Sequence, residues 1–282
     1  IAWIENSSHQ GVEKPRWEKP RLLKAGKQII RIMAGSNGSI QGPCEAKWGY
    51  TTLSVGDWDH DTLPDLVVNS IWGKVIWYRN VGTRKDPQLR AAQAIEVEWG
   101  DVSPPRPSWN WWKPLGNELI TQWRTTPVVI DWNSDGLNDL VMLDHEGYLC
   151  FWQRSQRNGR QILLPARRMF IDRFGSPIRL NDGYAGASGR RKLAVTDWDG
   201  DGDLDVLINS RNADFMENVS EKEGQVVLVN RNTVAKRPIA GHTSSPTVAD
   251  FNNDQVPDLL VGAEDGYLYY LRNPRRVSNR SD

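Results

Sequence analysis

Asp197-Trp198-Asp199-Gly200-Asp201-Gly202-Asp203-Leu204-Asp205, running into the apolar segment Val206-Leu207-Ile208, is the stretch that decides the fold. Its first, third, fifth and ninth positions are acidic, and glycine bends the loop between them, so the side chains can converge on one hard cation. Calcium takes six to eight oxygens at about 2.3–2.6 Å and tolerates irregular geometry, which suits such a loop. The spacing recurs at Asp57, Asp59, Asp61 and Asp65; at Asp131, Asn133, Asp135 and Asp139; and at Asp250, Asn252, Asp254 and Asp258. A solitary Asp-x-Asp-x-Asp is often only a polar turn, since Asp and Gly favour turns by themselves. Four copies with the same ninth-position Asp, each leading into an apolar run, form an array instead. Residues 57–65, 131–139, 197–205 and 250–258 are therefore predicted metal loops (loops 1 to 4), with calcium as the ion. An EF-hand loop would need Glu at position twelve and flanking helices. Here the loops exit into Leu66-Val67-Val68, Leu140-Val141-Met142, Val206-Leu207-Ile208 and Leu259-Leu260-Val261, which read as strands.

Working outward, each loop is preceded by a short apolar strand: Leu53–Gly56, Val128–Ile130, Leu193–Thr196 and Pro246–Ala249. The strand after the loop is followed by a turn and an aromatic third strand, at Val75–Asn80, Leu149–Trp152, Phe215–Asn218 and Leu268–Asn273. A fourth strand is expected near Ala94–Glu98, Arg168–Ile171 and Val226–Val229. Ile1–Asn6 repeats the third strand and Arg21–Lys24 the fourth, so residues 1–30 read as half a blade. Four antiparallel strands per repeat around an axis make a β-propeller blade. The expected fold is all-β, one propeller domain over residues 1–282. It is either a compact five-blade arrangement or a fragment of a propeller of up to seven blades, and the fragment reading is favoured. The third repeat departs from the others, with Arg211 where they have Gly73, Gly147 and Gly266.

The 282 residues can bury a large core, and no apolar run approaches the roughly 20 residues that span a bilayer. The chain starts at Ile1 without a signal peptide, which reads as mature, trimmed or partial. Cys44 and Cys150 form no disulfide framework, and their spacing does not say whether they pair. Weak calcium loops favour a secreted, periplasmic or cell-surface setting. A formal charge of +0 conceals an asymmetry, because fourteen of the 35 acidic residues are Asp ligands of the four loops. Four bound divalent ions would leave the protein near +8, with a basic remaining surface. The crowd of acidic loops and the lack of a dense Lys/Arg run argue against nucleic acid.

The repeat resembles the FG-GAP/VCBS family of propellers, to which the calcium loops of integrin α-subunits belong. The resemblance rests on Asp-x-Asp-x-Asp-Gly-x-x-Asp-Leu and on Gly-x-Leu-x-Tyr-Tyr-x-Asn at Gly266–Asn273. It implies a propeller and calcium, and says little about chemistry. The Trp-rich and Arg-rich insertions further resemble those of secreted bacterial propeller enzymes that cut uronate-containing polysaccharides.

Alternating strand direction places the metal loops at one end of every blade, and the inter-blade linkers with the second-to-third-strand turns at the other. The linkers collect Lys47, Trp48, Tyr50, Trp123, Arg124, Arg190, Arg191 and His242; the turns add Trp72, His145, Glu146, Arg211, Asn212, Glu264 and Asp265. Of fourteen tryptophans, Trp58, Trp132 and Trp198 occupy the second loop position and Trp3, Trp77 and Trp152 third strands, where packing is expected. Trp48, Trp72, Trp109, Trp111, Trp112 and Trp123 fall at the linker end. Aromatic faces stack on sugars and Arg pairs bidentately with carboxylates, so this end is the expected site for an acidic polysaccharide. Its substrate-binding set is Lys47, Trp48, Trp72, Trp111, Trp112, Trp123, Arg190, Arg191 and Arg211. For cleavage at a uronate, Arg124 would neutralise the carboxylate, His242 act as base and Tyr50 as acid. Hydrolysis would instead use a carboxyl pair drawn from Glu146, Glu264 and Asp265. The alternative is a non-catalytic glycan-capture or adhesion module, with a protein partner as a further option.

Overall fold

The computed structural model of the chain describes residues 1–8, 15–36, 38–39, 42–106, 114–182, 190–221, 224–239 and 243–275. Among these the fold is all-β, and the one helical segment is a single 3-10 turn at Pro43–Glu45. Blade 1 is a sheet of four consecutive antiparallel strands, Thr52–Gly56, Asp65–Asn69, Ile76–Tyr78 and Gln93–Ala94. Blade 2 has Val128–Ile130, Asp139–Leu143 and Leu149–Trp152. Leu193–Thr196, Asp205–Asn209, Ala213–Asn218 and Val226–Thr233 make blade 3. Ser245–Ala249, Asp258–Gly262 and Leu268–Leu271 make blade 4. At the N-terminus Ala2–Trp3 pairs antiparallel with Arg21–Leu22.

The second strands of blades 1 to 3 are buried at every residue, which explains their continuous apolar runs. The first strand of blade 1 alternates instead, with Leu53 and Val55 exposed on one face. In blade 2 the sequence expectation needs correcting. The chain leaves the third strand into an extra hairpin, Arg154–Arg157 against Arg160–Leu163, that periodicity did not reveal. The expected fourth strand at Arg168–Ile171 gives a single antiparallel bridge, Phe151 to Arg167, and then Phe170–Ile171 runs parallel to Val226–Val227. The hairpin uses the length that a regular fourth strand would have needed.

Contacts divide the chain into two compact bodies, Lys24–Arg191 with Glu221–Val227, and Ile1–Leu23 with Lys192–Ser220 and Leu228–Asp282. Each body contains a blade-to-blade core. In the first, Trp58 packs with Val67, Val75, Leu140, Met142 and Trp152; in the second, Trp198 packs with Leu207, Leu259 and Val261. The two tryptophans hold the same loop position, so the ring beside the ligands also cements the next blade. Burying such a ring removes about 150–250 Å² of surface, worth about 4–6 kcal/mol at 25 cal/mol per Å². The following blade adds a polar clasp. Arg154 Nη2 donates to the carbonyl of Trp58 (2.9 Å), and Asn273 Nδ2 to that of Trp198 (2.8 Å).

At the opposite strand ends the linkers cross the turns closely. Thr121 donates its amide to the carbonyl of Gly73, Leu180 to that of Gly147 and Ile239 to that of Arg211, so Arg211 occupies the glycine position in hydrogen-bond register. A Cβ on Gly147 would lie 1.9 Å from the carbonyl oxygen of Asn181, so this crossing admits only glycine.

Metal loops and a buried arginine at the linker end

The four loops share one backbone design. In loops 1, 2 and 4 the first Asp gathers the amides that follow: Asp57 accepts from Asp61 (2.9 Å) and Thr62 (2.8 Å), Asp131 from Asp135 (3.1 Å) and Gly136 (2.9 Å), and Asp250 from Asp254 and Gln255 (both 3.0 Å), whereas in loop 3 Asp197 accepts from Gly200. Positions four and six take left-handed φ in every loop: His60 and Thr62, Ser134 and Gly136, Gly200 and Gly202, Asn253 and Gln255. Glycine is thus the natural occupant, and loops 1 and 4 hold the same shape with side chains that resist it.

The ninth Asp has a second task. Asp65, Asp139, Asp205 and Asp258 are fully buried. One oxygen of each accepts the amide of the residue closing the third strand: Asn80 (2.6 Å), Arg154 (2.8 Å), Asn218 (2.8 Å) and Asn273 (2.9 Å). The other oxygen accepts the amide of Trp58, Trp132 or Trp198 in the first three loops, and the Tyr270 hydroxyl in the fourth. Burial outweighs these amides and pushes the carboxyls of Asp65, Asp139 and Asp205 up to about 6.

In loops 1 and 3 the residues fit a hard cation. Carboxylate oxygens of Asp57, Asp59 and Asp61, and of Asp197, Asp199 and Asp205, lie within 4.8 Å of one another, about the span of ligands 2.4 Å from a shared ion. The buried Oδ1 of Asp59 has no hydrogen-bond partner. Burial, aided by the neighbouring carboxylates, raises the Asp59 and Asp199 carboxyls. A cation would remove that strain. Asp59 also lines a cleft of about 720 Å³ with Trp58, Trp77, Glu96, Arg154 and Arg160, which connects loop 1 to solvent.

At the other end of the first body, several predicted residues come together. Arg124 is 3% exposed, with its guanidinium 3.3 Å from the centroid of Tyr50 and 4.0 Å from that of Trp123. Its Nη2 is 3.5 Å from Glu45, while Nε and Nη1 are buried without a hydrogen-bond partner. Burial brings its pKa down to about 10. Tyr50 donates to Glu45 (3.0 Å), and Ser39 donates to the other oxygen of the same buried carboxylate. Burial first, and Glu45 second, hold the Tyr50 phenol above its usual range, with Arg124 and Arg190 pulling it down less strongly. Both Tyr50 and Arg124 sit at left-handed φ, 44° and 61°, in equivalent lead-ins to the first strands of blades 1 and 2. Arg124 lies before Val128–Ile130 and Asp131 follows it, so the cluster and the metal loop occupy opposite ends of that strand.

Trp48 is 53% exposed and meets Tyr50 edge to face at 5.3 Å; Lys47 is exposed beside it. Trp72 is half-buried and donates to the Ala34 carbonyl. Trp123 corrects the sequence reading: it is fully buried against Ala34 and Ile71, so it supports Arg124 from beneath and cannot stack on a ligand. Arg191 holds the linker, donating to the Leu180 carbonyl and to Asn181. Arg211 is exposed and belongs to the second body. His242, Trp109, Trp111 and Trp112 lie outside the described residues. Glu146 is paired with Arg168 and held below the usual carboxylate range by it, and Asp265 accepts from Tyr269 and Tyr267 within its own turn. Neither is a poised acid. Glu45 and Ser39 were missed, because nothing in the spacing of a loop around a short 3-10 turn marks them.

A family model for the FG-GAP-like repeat matches residues 131–208 and again 197–261, spanning loops 2 to 4. No curated protein matches the chain. No helix among the described residues is long and apolar enough to cross a membrane.

Proposed function

We propose that the protein is a secreted or surface-exposed calcium-binding propeller module that captures an acidic, uronate-containing polysaccharide at its linker end. The observation that carries this reading is the aromatic and basic cluster at the linker end, where exposed Trp48 packs on half-buried Tyr50 and Tyr50 in turn covers the enclosed Arg124 guanidinium. Arg124 itself is enclosed, so it holds Tyr50 by a cation–π contact and lends the cluster positive charge from beneath. Trp48 and Tyr50 supply aromatic faces for sugar rings, and Lys47 and Arg190 add positive charge around them. Calcium, held by the four loops, supplies neutralisation of crowded carboxylates and braces the strand ends opposite the linkers.

A second reading, cleavage, is favoured by the hydrogen bond from Tyr50 to the buried Glu45. With its phenol held high, Tyr50 is suited to donate a proton to a leaving oxygen rather than to abstract one.

Calorimetric titration with oligogalacturonate and with its neutral carboxyl-reduced counterpart tests both readings. Binding of the acidic form, weakened about tenfold or more by Trp48→Ala and by Arg190→Gln, supports capture; equal binding of the two forms, or of neither, overturns it. Absorbance from an unsaturated uronate product would establish a lyase. Loss of product in Tyr50→Phe with binding retained would assign Tyr50 as the acid.

A further inference from the structure

The four loops share a backbone, yet the residue just before the amide donor to the ninth Asp differs in charge from blade to blade. It is Arg79 in blade 1, Gln153 in blade 2, Glu217 in blade 3 and Arg272 in blade 4. Arg79 reaches into loop 1, with Nε 2.6 Å from Asp59 Oδ2 and Nη2 3.1 Å from Asp61 Oδ2. It thereby engages two carboxylates that the ion would use. Arg272 does the same in loop 4, with Nη2 3.0 Å from Asp254 Oδ2. Loop 4 is already the poorer in charge, because Asn252 stands at its third position and donates its amide to Asp254.

Blade 3 is the opposite case. Its loop holds Asp197, Asp199, Asp201, Asp203 and Asp205, and Glu217 adds a sixth carboxylate next to them. Two arginines approach from elsewhere in the same body. Arg231 pairs with Glu217 rather than with a loop carboxylate, and Arg275 Nη1 lies 3.0 Å from Asp197 Oδ1. Even with both counted, loop 3 keeps the largest negative excess of the four.

Resting on the calcium reading above, we infer that this single strand position grades the array. Loop 3 takes calcium first, while Arg79 and Arg272 serve as built-in counter-cations that hold loops 1 and 4 in shape at low calcium and yield only to high concentrations of the ion. The physical basis is competition. An ion entering loop 1 must displace a guanidinium from two of its carboxylates, whereas an ion entering loop 3 displaces Arg275 from Asp197 alone and meets a larger negative excess. Ligand charge is the main variable by which loops of one geometry spread their calcium affinities over several decades.

The test is calcium chloride titration of the metal-stripped full chain, by calorimetry and by competition with a chelating dye. Wild type should show one tight site, abolished by Asp199→Asn, and weaker sites beyond it. Arg79→Gln and Arg272→Gln should each tighten one weak site about tenfold or more. Arg79→Lys, which keeps the charge, should leave affinities near wild type, and Glu217→Arg should weaken the tight site about tenfold. Four sites of equal affinity, or arginine variants without effect on calcium affinity, would overturn the grading and leave the calcium reading standing. No calcium binding by wild type would overturn both. A variant that fails to fold is replaced by the charge-only change Glu217→Gln, for which loosening of the tight site supports the grading and an unchanged affinity opposes it.

Discussion

Replacing Asp139 separates two roles that the sequence alone merges, metal ligand and backbone clasp. The carboxylate is fully buried and accepts from Arg154 N at 2.8 Å and Trp132 N at 3.1 Å. Asp139→Ala leaves both amides buried and unpaired, at about 1–3 kcal/mol each. Part of this is returned, because the buried charge is removed as well; its cost is visible in a carboxyl pushed up to about 6. A net loss of about 2–4 kcal/mol remains, large beside the roughly 5–15 kcal/mol that stabilises ordinary domains. Asp139→Asn keeps one acceptor and should cost about half as much. At 2–4 °C per kcal/mol for a body of this size, the alanine variant should melt roughly 5–15 °C lower. The assay is urea and thermal unfolding by tryptophan fluorescence, run in excess chelator and in saturating calcium. The clasp predicts that most of the loss persists in chelator, where no ion is bound. An alanine variant within about 0.5 kcal/mol of wild type in chelator, yet much weaker in calcium, would refute it and leave Asp139 a ligand only.

Two further expectations follow from the loops. In chelator, stability should fall as pH rises from about 4 to about 6: the unfolded state has then lost protons that Asp65, Asp139 and Asp205 still hold when folded. Glu146, Asp254 and Asp265, held low, lose their contributions only at more acid pH. Calcium binds the ionised forms and should reverse the slope, so melting curves that climb with pH in chelator would contradict the assignment. Thr62→Gly relieves a β-branched residue at φ 73°, worth about 1–2 kcal/mol, against about 0.5–1 kcal/mol of added chain entropy. A net gain of about 0.5–1 kcal/mol is expected in the urea midpoint, and a lower midpoint would sink it.

The four repeated acidic loops, the strands Val128–Ile130 and Leu193–Thr196, and the all-β class were legible in the sequence because they depend on neighbours within about ten residues. The alternation of strand direction, which sets Arg124 and Asp131 at opposite ends of one strand, was legible for the same reason. Burial and pairing between distant segments were not. Trp123 reads like Trp48, both aromatic and both in a linker, yet one is fully enclosed and the other half exposed, a difference made by Ala34 and Ile71 from elsewhere in the chain. Glu45 becomes the partner of Tyr50 and Arg124 only when a loop and two linkers meet. Arg79 looks like any charged residue at the end of a strand until the register of Val67 with Trp77 brings it beside Asp59 and Asp61. The hairpin at Arg154–Leu163 displaced a fourth strand that its local composition supported. Local patterns specify which groups a chain has available; register and packing decide which of them become counter-ions, supports or ligands, because charge and burial act through space rather than along the chain.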